Sequence, residues 1–266
     1  MPNKIAVVGY GSVGKALVAH LQKHEYVIDI IDPELDQFPE YEAYQTMHIT
    51  IPYLSDTQYL AAFRTWVNRC KPKFIIIHST LNPFILPMLT SEDAFVIAYA
   101  PIRNREQDMA KEMGTMQLFA AIIDPIQHIK APQQLFFDYI DKNFDVVWFD
   151  DAKALAFGKL METTWFGMNI AFCQMMKETC DHFGFNFDEA YTQYTEYSRI
   201  GKDYREDPLE YMTRPIFVPN VIGGKCVIQN LDIVDAFKLA YFQLIDFILY
   251  ANSQTKRKVD HEETRL

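Results

Sequence analysis

The sequence predicts an α/β protein in which a doubly wound, mostly parallel sheet precedes an all-α domain with one long central helix. Two observations carry this prediction. In the first 150 residues, near-continuous apolar runs such as residues 74–78 alternate with segments of helical periodicity. This alternation is typical of parallel strands that are covered on both faces. From Asp151 the pattern changes, because Ala152–Phe183 is one long helical stretch without proline.

The first strand signal, Lys4–Val8, runs directly into a glycine-rich loop of the form G-x-G-x-x-G, and a segment of helical periodicity follows. In this context each glycine has its own role. The first allows a tight turn, the second lets backbone N–H groups approach a pyrophosphate, and the third lets the helix pack against the strand. The loop therefore predicts a Rossmann-type dinucleotide-binding unit with the phosphates at the helix N-terminus. The expected binding residues are Gly9, Gly11, Ser12, Val13 and Gly14.

The second strand signal, residues 26–31, ends at Asp32, which lies 18 positions after Gly14. A carboxylate at this point can accept hydrogen bonds from the 2′-hydroxyl of an adenosine ribose. No arginine follows closely, so a 2′-phosphate would be repelled, and NAD is predicted rather than NADP. The alternative is that the glycines only form a tight turn and that Asp32 only caps the chain at Pro33.

Further elements continue the alternation. Strands are predicted at residues 46–51, 74–78, 94–99, 117–123 and 146–149, with helices at residues 57–70 and 128–141. After the long helix, Gly184 predicts a stop, and Asn186 with Glu189 predicts the start of another helix. We expect a loop at residues 200–225, a very apolar final helix at residues 231–251 and a frayed polar end. The predicted domains are residues 1–150, which bind NAD, residues 151–252, which form a helical dimerisation and substrate domain, and a polar tail at residues 253–266.

Composition limits the classes of function. The chain is 49% hydrophobic, which excludes disorder for most of its length, and its formal net charge is −10. The negative charge argues against nucleic acid or an anionic membrane surface as the main partner. No run of about 18 apolar residues and no signal region occur, so a cytoplasmic location is expected. Cys173 and Cys180 are two helical turns apart, beyond disulfide reach, and no metal site is predicted.

Three further motifs extend the pattern of the glycine loop. Ser79-Thr80 follows a strand, Lys159 lies near the start of the long helix with Thr163 a turn later, and Gly223-Gly224-Lys225-Cys226 ends the charged loop. Together these motifs resemble the UDP-glucose/GDP-mannose dehydrogenase family of nucleotide-sugar 6-dehydrogenases, which convert an alcohol to a carboxylate with two NAD. The resemblance covers about residues 3–252, which correspond to the first two domains of that family.

The resemblance implies a role for each motif. Cys226 would be the nucleophile that adds to the aldehyde, Lys159 would stabilise the developing oxyanion, and Thr80 would hold a water molecule or the nicotinamide side of the cofactor. The alternatives are a buried structural cysteine, an ordinary surface pair of Lys159 with Glu162, and a plain loop threonine. Ser79 is expected to contact the cofactor, and the implied substrate-binding residues are Thr163, Gly223, Gly224, Lys225 and Asn230.

The chain also departs from the family pattern. Ile102, Thr163 and Asn230 stand where the family has Glu, Asn and Asp, so two carboxylates that could orient water or take a proton are missing. The family continues beyond the position of Asn252 with a domain that grips the nucleotide, and without it we expect a nucleotide-sugar to bind weakly.

Three functions remain open: a relative of these enzymes that acts on a sugar-like alcohol, a two-electron dehydrogenase of β-hydroxyacid type, and a non-catalytic NAD-binding protein. We expect a small-molecule substrate, with a nucleotide-sugar as one candidate. We also expect a homodimer, because the final helix at residues 231–251 is apolar nearly all round and must be covered by other elements.

Overall fold

The computed structural model describes residues 4–39, 43–91, 94, 96–103, 109–123, 130–203, 215–223, 225–235, 237 and 242–263. The chain divides into two compact units, Met1–Lys159 and Leu160–Leu266, and each is described by itself.

The described part of the first unit contains a seven-stranded sheet with the order β2-β1-β3-β4-β5-β6-β7. Neighbouring strands are parallel except for β5 and β6, which are antiparallel. The strands are β1 (Lys4–Val8), β2 (Val27–Ile31), β3 (Thr46–Ile49), β4 (Phe74–Ile77), β5 (Val96–Tyr99), β6 (Leu118–Ile122) and β7 (Val146–Phe149). The chain leaves β1 toward β2 on one side, whereas β3 to β5 extend on the other. A crevice therefore opens at the carboxyl ends of β1 and β3, which is where ligands bind in such sheets.

Two apolar layers cover this sheet because successive side chains of each strand point to opposite faces. Ala6 and Val8 face one layer, whereas Ile5 and Val7 face the other. The central strands β3, β4 and β5 are buried along their whole length, which explains the continuous apolar runs of the sequence. The helices of this unit are α1 (Ser12–Leu21), α2 (Asp56–Cys70), α3 (Met109–Glu112), α4 (Lys130–Asn143) and the start of α5 (Ala152–Phe183). The predicted α/β fold class is confirmed.

The second unit is helical where it is described, with the remainder of α5, then α6 (Phe187–Asp203), α7 (Lys225–Asp235) and α8 (Phe242–Glu263). Gly184 ends α5 at a φ of +71°, and the Phe185 N–H donates to the Cys180 carbonyl at 2.8 Å, a Schellman-type stop. The Asn186 side chain accepts the Glu189 N–H at 3.2 Å and starts α6. The predicted stop and start are therefore confirmed.

Three predictions about the second unit are wrong. The loop expected over residues 200–225 begins later, because α6 continues to Asp203, and residues 204–214 lie outside the described residues. The final helix expected at residues 231–251 is instead two helices, because α7 ends at Asp235 before α8 begins. The polar tail expected from residue 253 is helical to Glu263, since good helix formers extend α8 and Lys258 lies 3.7 Å from Asp181 of α5.

Candidate active site

The glycine loop has the backbone geometry that its sequence requires. Gly9 has a φ of +95°, and its N–H donates to the Ile31 carbonyl at 2.8 Å, which joins the ends of β1 and β2. A Cβ atom at Gly14 would lie 2.1 Å from the Gly9 oxygen, so glycine is required for the close contact of α1 with the turn. A Cβ atom at Gly11, by contrast, would meet nothing within 4 Å. The space in front of Gly11 is therefore open to a ligand.

The N-terminus of α1 faces this space with the properties of an anion site. Gly11 and Ser12 are exposed, and Val13 is half-buried. The first turn contains no acidic residue. Because the first N–H groups of a helix lack intrahelical partners and carry the positive end of its dipole, a phosphate fits here without a competing carboxylate.

Asp32 ties the end of β2 to the glycine loop. Its Oδ2 atom accepts the Tyr10 N–H at 2.7 Å, and its Oδ1 atom accepts the Glu34 N–H at 3.0 Å. The second contact caps the short 3₁₀ helix Pro33–Leu35, so the capping role considered from the sequence is present. A carboxylate has about four acceptor positions, so two remain for ribose hydroxyls. Capping and ribose binding are thus compatible.

Sequence reasoning missed Thr50, which follows β3 at the crevice. Its hydroxyl lies 2.8 Å from the Gly9 carbonyl and 3.1 Å from the Val8 carbonyl, and it donates to this pair. Thr50 therefore fixes the turn from the neighbouring strand. The sequence does hint at this role, because Thr50 directly follows β3, and the carboxyl end of β3 lies beside that of β1.

The loops after β3 and β4 are linked into a wall that carries Thr80. The Ser79 hydroxyl donates to the Ile51 carbonyl at 2.6 Å, and the Asn82 amide donates to an Asp56 carboxylate oxygen at 3.2 Å. Tyr53 donates its hydroxyl to the same carboxylate. Thr80 is half-buried between these anchors. Ser79 thus has a structural bond, which leaves its oxygen able to accept from a ligand.

A buried chain of polar groups lies beneath this wall. His78 Nδ1 lies 2.7 Å from the Ala100 carbonyl, His48 Nδ1 lies 2.9 Å from His78 Nε2, and the Tyr139 hydroxyl lies 2.7 Å from His48 Nε2. A carbonyl can only accept, so His78 donates from Nδ1, His48 donates to His78, and Tyr139 donates to His48. Burial lowers the pKa of His78 to about 4 and holds the pKa of His48 well below its usual value.

In the second unit, two predicted substrate-binding side chains contact each other. The Asn230 amide donates to the Thr163 hydroxyl at 3.0 Å, and the Thr163 hydroxyl donates to the Leu160 carbonyl at 2.9 Å. Both side chains are buried. Lys159 is half-buried on α5, one turn before Thr163. The pair therefore uses its polar groups within the protein rather than presenting them to solvent.

Cys226 lies in the first turn of α7 and is exposed, whereas Cys70, Cys173 and Cys180 are buried. Burial raises the pKa of the Cys70 thiol to about 12 and also raises that of Cys173. A buried structural role for Cys226 is thereby excluded. Gly223 is exposed beside it, Gly224 lies outside the described residues, and Lys225 begins α7.

Comparison with known proteins gives structural matches. No protein-family model matches the chain. No curated protein matches either. The UDP-D-ManNAc dehydrogenase of Pyrococcus horikoshii matches at a TM-score of 0.68 and 17% identity, over 96% of this chain and 68% of that one. The UDP-N-acetyl-mannosamine dehydrogenase of Staphylococcus aureus matches at a TM-score of 0.68 and 17% identity, over 99% of this chain and 70% of that one.

A shorter enzyme matches over nearly the whole of both chains. The 3-hydroxyisobutyrate dehydrogenase of Mycobacterium tuberculosis has a TM-score of 0.63 and 11% identity, over 98% of this chain and 94% of its own. At these identities the likeness establishes the fold, which the chain shares with nucleotide-sugar and hydroxyacid dehydrogenases.

The described residues lack two kinds of feature. In that part of the chain, no helix is long and apolar enough to cross a membrane. Over the same residues, no group of three or more His, Cys, Asp or Glu side chains is arranged to hold a metal ion.

Proposed function

We propose that this protein is an NAD-dependent oxidoreductase that acts on the CH–OH group of a sugar-like alcohol. The observation that carries the proposal is the dinucleotide cradle of Gly9, Gly11, Gly14 and Asp32 at the crevice of the sheet. The structural likeness to dehydrogenases of two substrate classes supports it.

The charge around Asp32 favours NAD over NADP. Glu34 and Asp36 follow within four residues, so three carboxylates lie on the short segment that a ribose would approach. These carboxylates would repel the negative charge of a 2′-phosphate, whereas a 2′-hydroxyl could donate to a free acceptor position of Asp32.

The proposed chemistry uses Lys159, Thr80 and Cys226. Bound NAD supplies the hydride acceptor. The alcohol carbon would transfer a hydride to that acceptor while the hydroxyl proton leaves to solvent water, and the Lys159 ammonium would stabilise the developing alkoxide. Thr80 orients the nicotinamide side from the wall after β4. Cys226, the exposed thiol of α7, would add to an aldehyde product as a thiolate.

We infer that oxidation stops after two electrons. A second oxidation ends with thioester hydrolysis, which requires a base that activates water. At the positions where the resemblance implies an acid, Ile102 packs against the apolar core of the first unit, and Asn230 is bonded to Thr163. Neither can serve as a base. A β-hydroxyacid-type dehydrogenase is the second candidate, favoured by the match that spans both chains almost entirely.

We also propose a homodimer. Four large apolar side chains on α5 are exposed in the single chain: Trp165, Phe166, Phe172 and Met175. A second copy of the chain would cover them. Light scattering at micromolar concentration should give twice the mass of 31.0 kDa, and a stable monomer would contradict the proposal.

The function is tested by following NADH formation with UDP-glucose, UDP-N-acetylmannosamine and small 3-hydroxy acids, with product analysis. The proposal expects one NADH per substrate oxidised and no carboxylic acid from the sugars. Two NADH with acid formation would refute the two-electron conclusion. No NADH with any substrate, despite NAD binding, would favour a non-catalytic NAD-binding protein.

A further inference from the structure

Residues 216–222, which lead toward α7, are held by side chains of three helices. Tyr191 of α6 accepts the Phe217 N–H at 3.0 Å, and Gln174 of α5 donates to the Asn220 carbonyl at 2.7 Å. Asn252 of α8 accepts the Ile222 N–H at 2.8 Å. We call residues 216–222 the anchored segment. Side chains thus bind its backbone at positions where regular secondary structure would otherwise do so.

The orientations of both amides are fixed by chemistry. The Ile222 N–H can only donate, so Asn252 presents Oδ1 to it. The Asn220 carbonyl can only accept, so Gln174 presents Nε2, which also lies 3.4 Å from Asn252 Oδ1. Turning either amide over would place two donors or two acceptors against each other.

Burying the amides of Gln174 and Asn252 destabilises the folded protein, which points to a role in positioning the backbone they bind. Gln174 and Asn252 are 3% and 4% exposed, and Gln174 Oε1 has no hydrogen-bond partner in the described part of the chain. A buried polar atom without a partner destabilises the folded protein, because it loses its hydrogen bonds to water. A well-packed apolar contact between α5 and α8 would avoid this cost but could not bind the backbone of the anchored segment.

We propose that Asn252 and Gln174 are positioning residues that set the start of α7 and thereby the place of the Cys226 thiol. The inference deepens the proposed function, since it takes Cys226 as the reacting thiol. Three residues separate Ile222 from Cys226. Each residue spans at most about 3.6 Å, so the position of Ile222 limits how far from it the first turn of α7 can begin.

The test compares Asn252→Leu with Asn252→Asp, which retains an acceptor for the Ile222 N–H. The matched control is Asn143→Leu, which removes a similarly buried asparagine in the first unit, where Asn143 bonds Tyr26 and the Tyr139 carbonyl. The measurements are hydrogen exchange of the Ile222 amide, mass-mapped alkylation of Cys226 by iodoacetamide, and NAD affinity.

In Asn252→Leu we expect Ile222 to exchange at least tenfold faster. We also expect the alkylation rate of Cys226 to change at least threefold, because the start of α7 is no longer held in place. Asn252→Asp should restore both rates, Asn143→Leu should change neither, and NAD affinity should stay unchanged throughout.

Wild-type exchange and alkylation rates in Asn252→Leu would overturn the inference. So would faster exchange with unchanged alkylation, because Cys226 would then be positioned independently. If Asn252→Leu does not fold, Gln174→Met removes the donor to the Asn220 carbonyl and is judged by the same rates. These rates need no substrate, so they decide the inference even if no dehydrogenase activity is found.

Discussion

Lowering the pH from 7 to 5 should destabilise the first unit through the buried pair of His48 and His78. Both imidazoles are neutral in the folded protein, because each hydrogen bond of the chain from Tyr139 to the Ala100 carbonyl uses the neutral form. Protonating either ring would set N–H groups of the two histidines against each other or against the Tyr139 hydroxyl proton. Unfolding releases both rings into water, where their pKa returns to about 6.5.

The direction and size of this loss of stability follow from the difference in proton binding between the unfolded and folded states. Between pH 6.5 and about 4 the unfolded chain binds protons that the folded chain does not, so stability is complete above pH 6.5 and falls as the pH drops. At pH 5 the solution is about 1.5 units below the unfolded pKa, which is about 2 kcal/mol for His78. Burial also holds the pKa of His48 well below its usual value, so His48 adds to the loss with the same sign. The pair therefore accounts for a loss of at least about 2 kcal/mol at pH 5.

Urea unfolding at pH 7 and pH 5 measures this loss, and His24→Gln, which changes a histidine outside the pair, serves as the control. The control should keep the pH dependence of stability, and the double variant His48→Gln/His78→Gln should lose at least about 2 kcal/mol of it. Nitrogen NMR should show both rings protonated at Nδ1. Equal wild-type stability at the two pH values, or rings that titrate near pH 6.5, would refute the reasoning.

Three further predictions concern single sites. Gly14→Ala should lower both stability and NAD affinity, because its Cβ atom would lie 2.1 Å from the Gly9 oxygen. Gly11→Ala should lower NAD affinity at least tenfold and leave stability nearly unchanged. If urea unfolding shows the same loss of stability in both variants, and calorimetry the same loss of NAD affinity, the prediction is wrong. Cys226 should be the first of the four thiols alkylated by iodoacetamide, and mass mapping that finds it slowest would exclude a nucleophile. A double-mutant cycle of Thr163→Val and Asn230→Leu should show a coupling of about 0.5–3 kcal/mol in urea unfolding, and additive losses would mean that their hydrogen bond is not formed.

Local patterns predicted the parts of the protein that local chemistry determines. The glycine loop, Asp32 and the strands follow from backbone conformation and apolar runs over a few residues. The start of α7 was placed too late, because Lys225 and Cys226 follow two glycines and gave no apolar signal before Val227. The roles of these site residues remain proposals.

Pairings between distant segments could not be predicted from the sequence. Asn230 is bonded to Thr163 across 67 positions, and His48 is bonded to His78 across 30. Gln174 approaches Asn252 across 78 positions. No periodicity links such residues, since their contact depends on how whole helices and strands pack. The role of Thr50 cannot be predicted from local sequence alone, but it follows once β3 is known to lie beside β1.

Calorimetric titration of the protein with NAD and NADP tests the central claim most directly. The account predicts saturable NAD binding at one site per chain, at least tenfold tighter than NADP binding, and a smaller difference in Asp32→Ala because its carboxylate no longer repels the 2′-phosphate. Absence of NAD binding, or NADP affinity equal to or greater than that for NAD, would contradict the account.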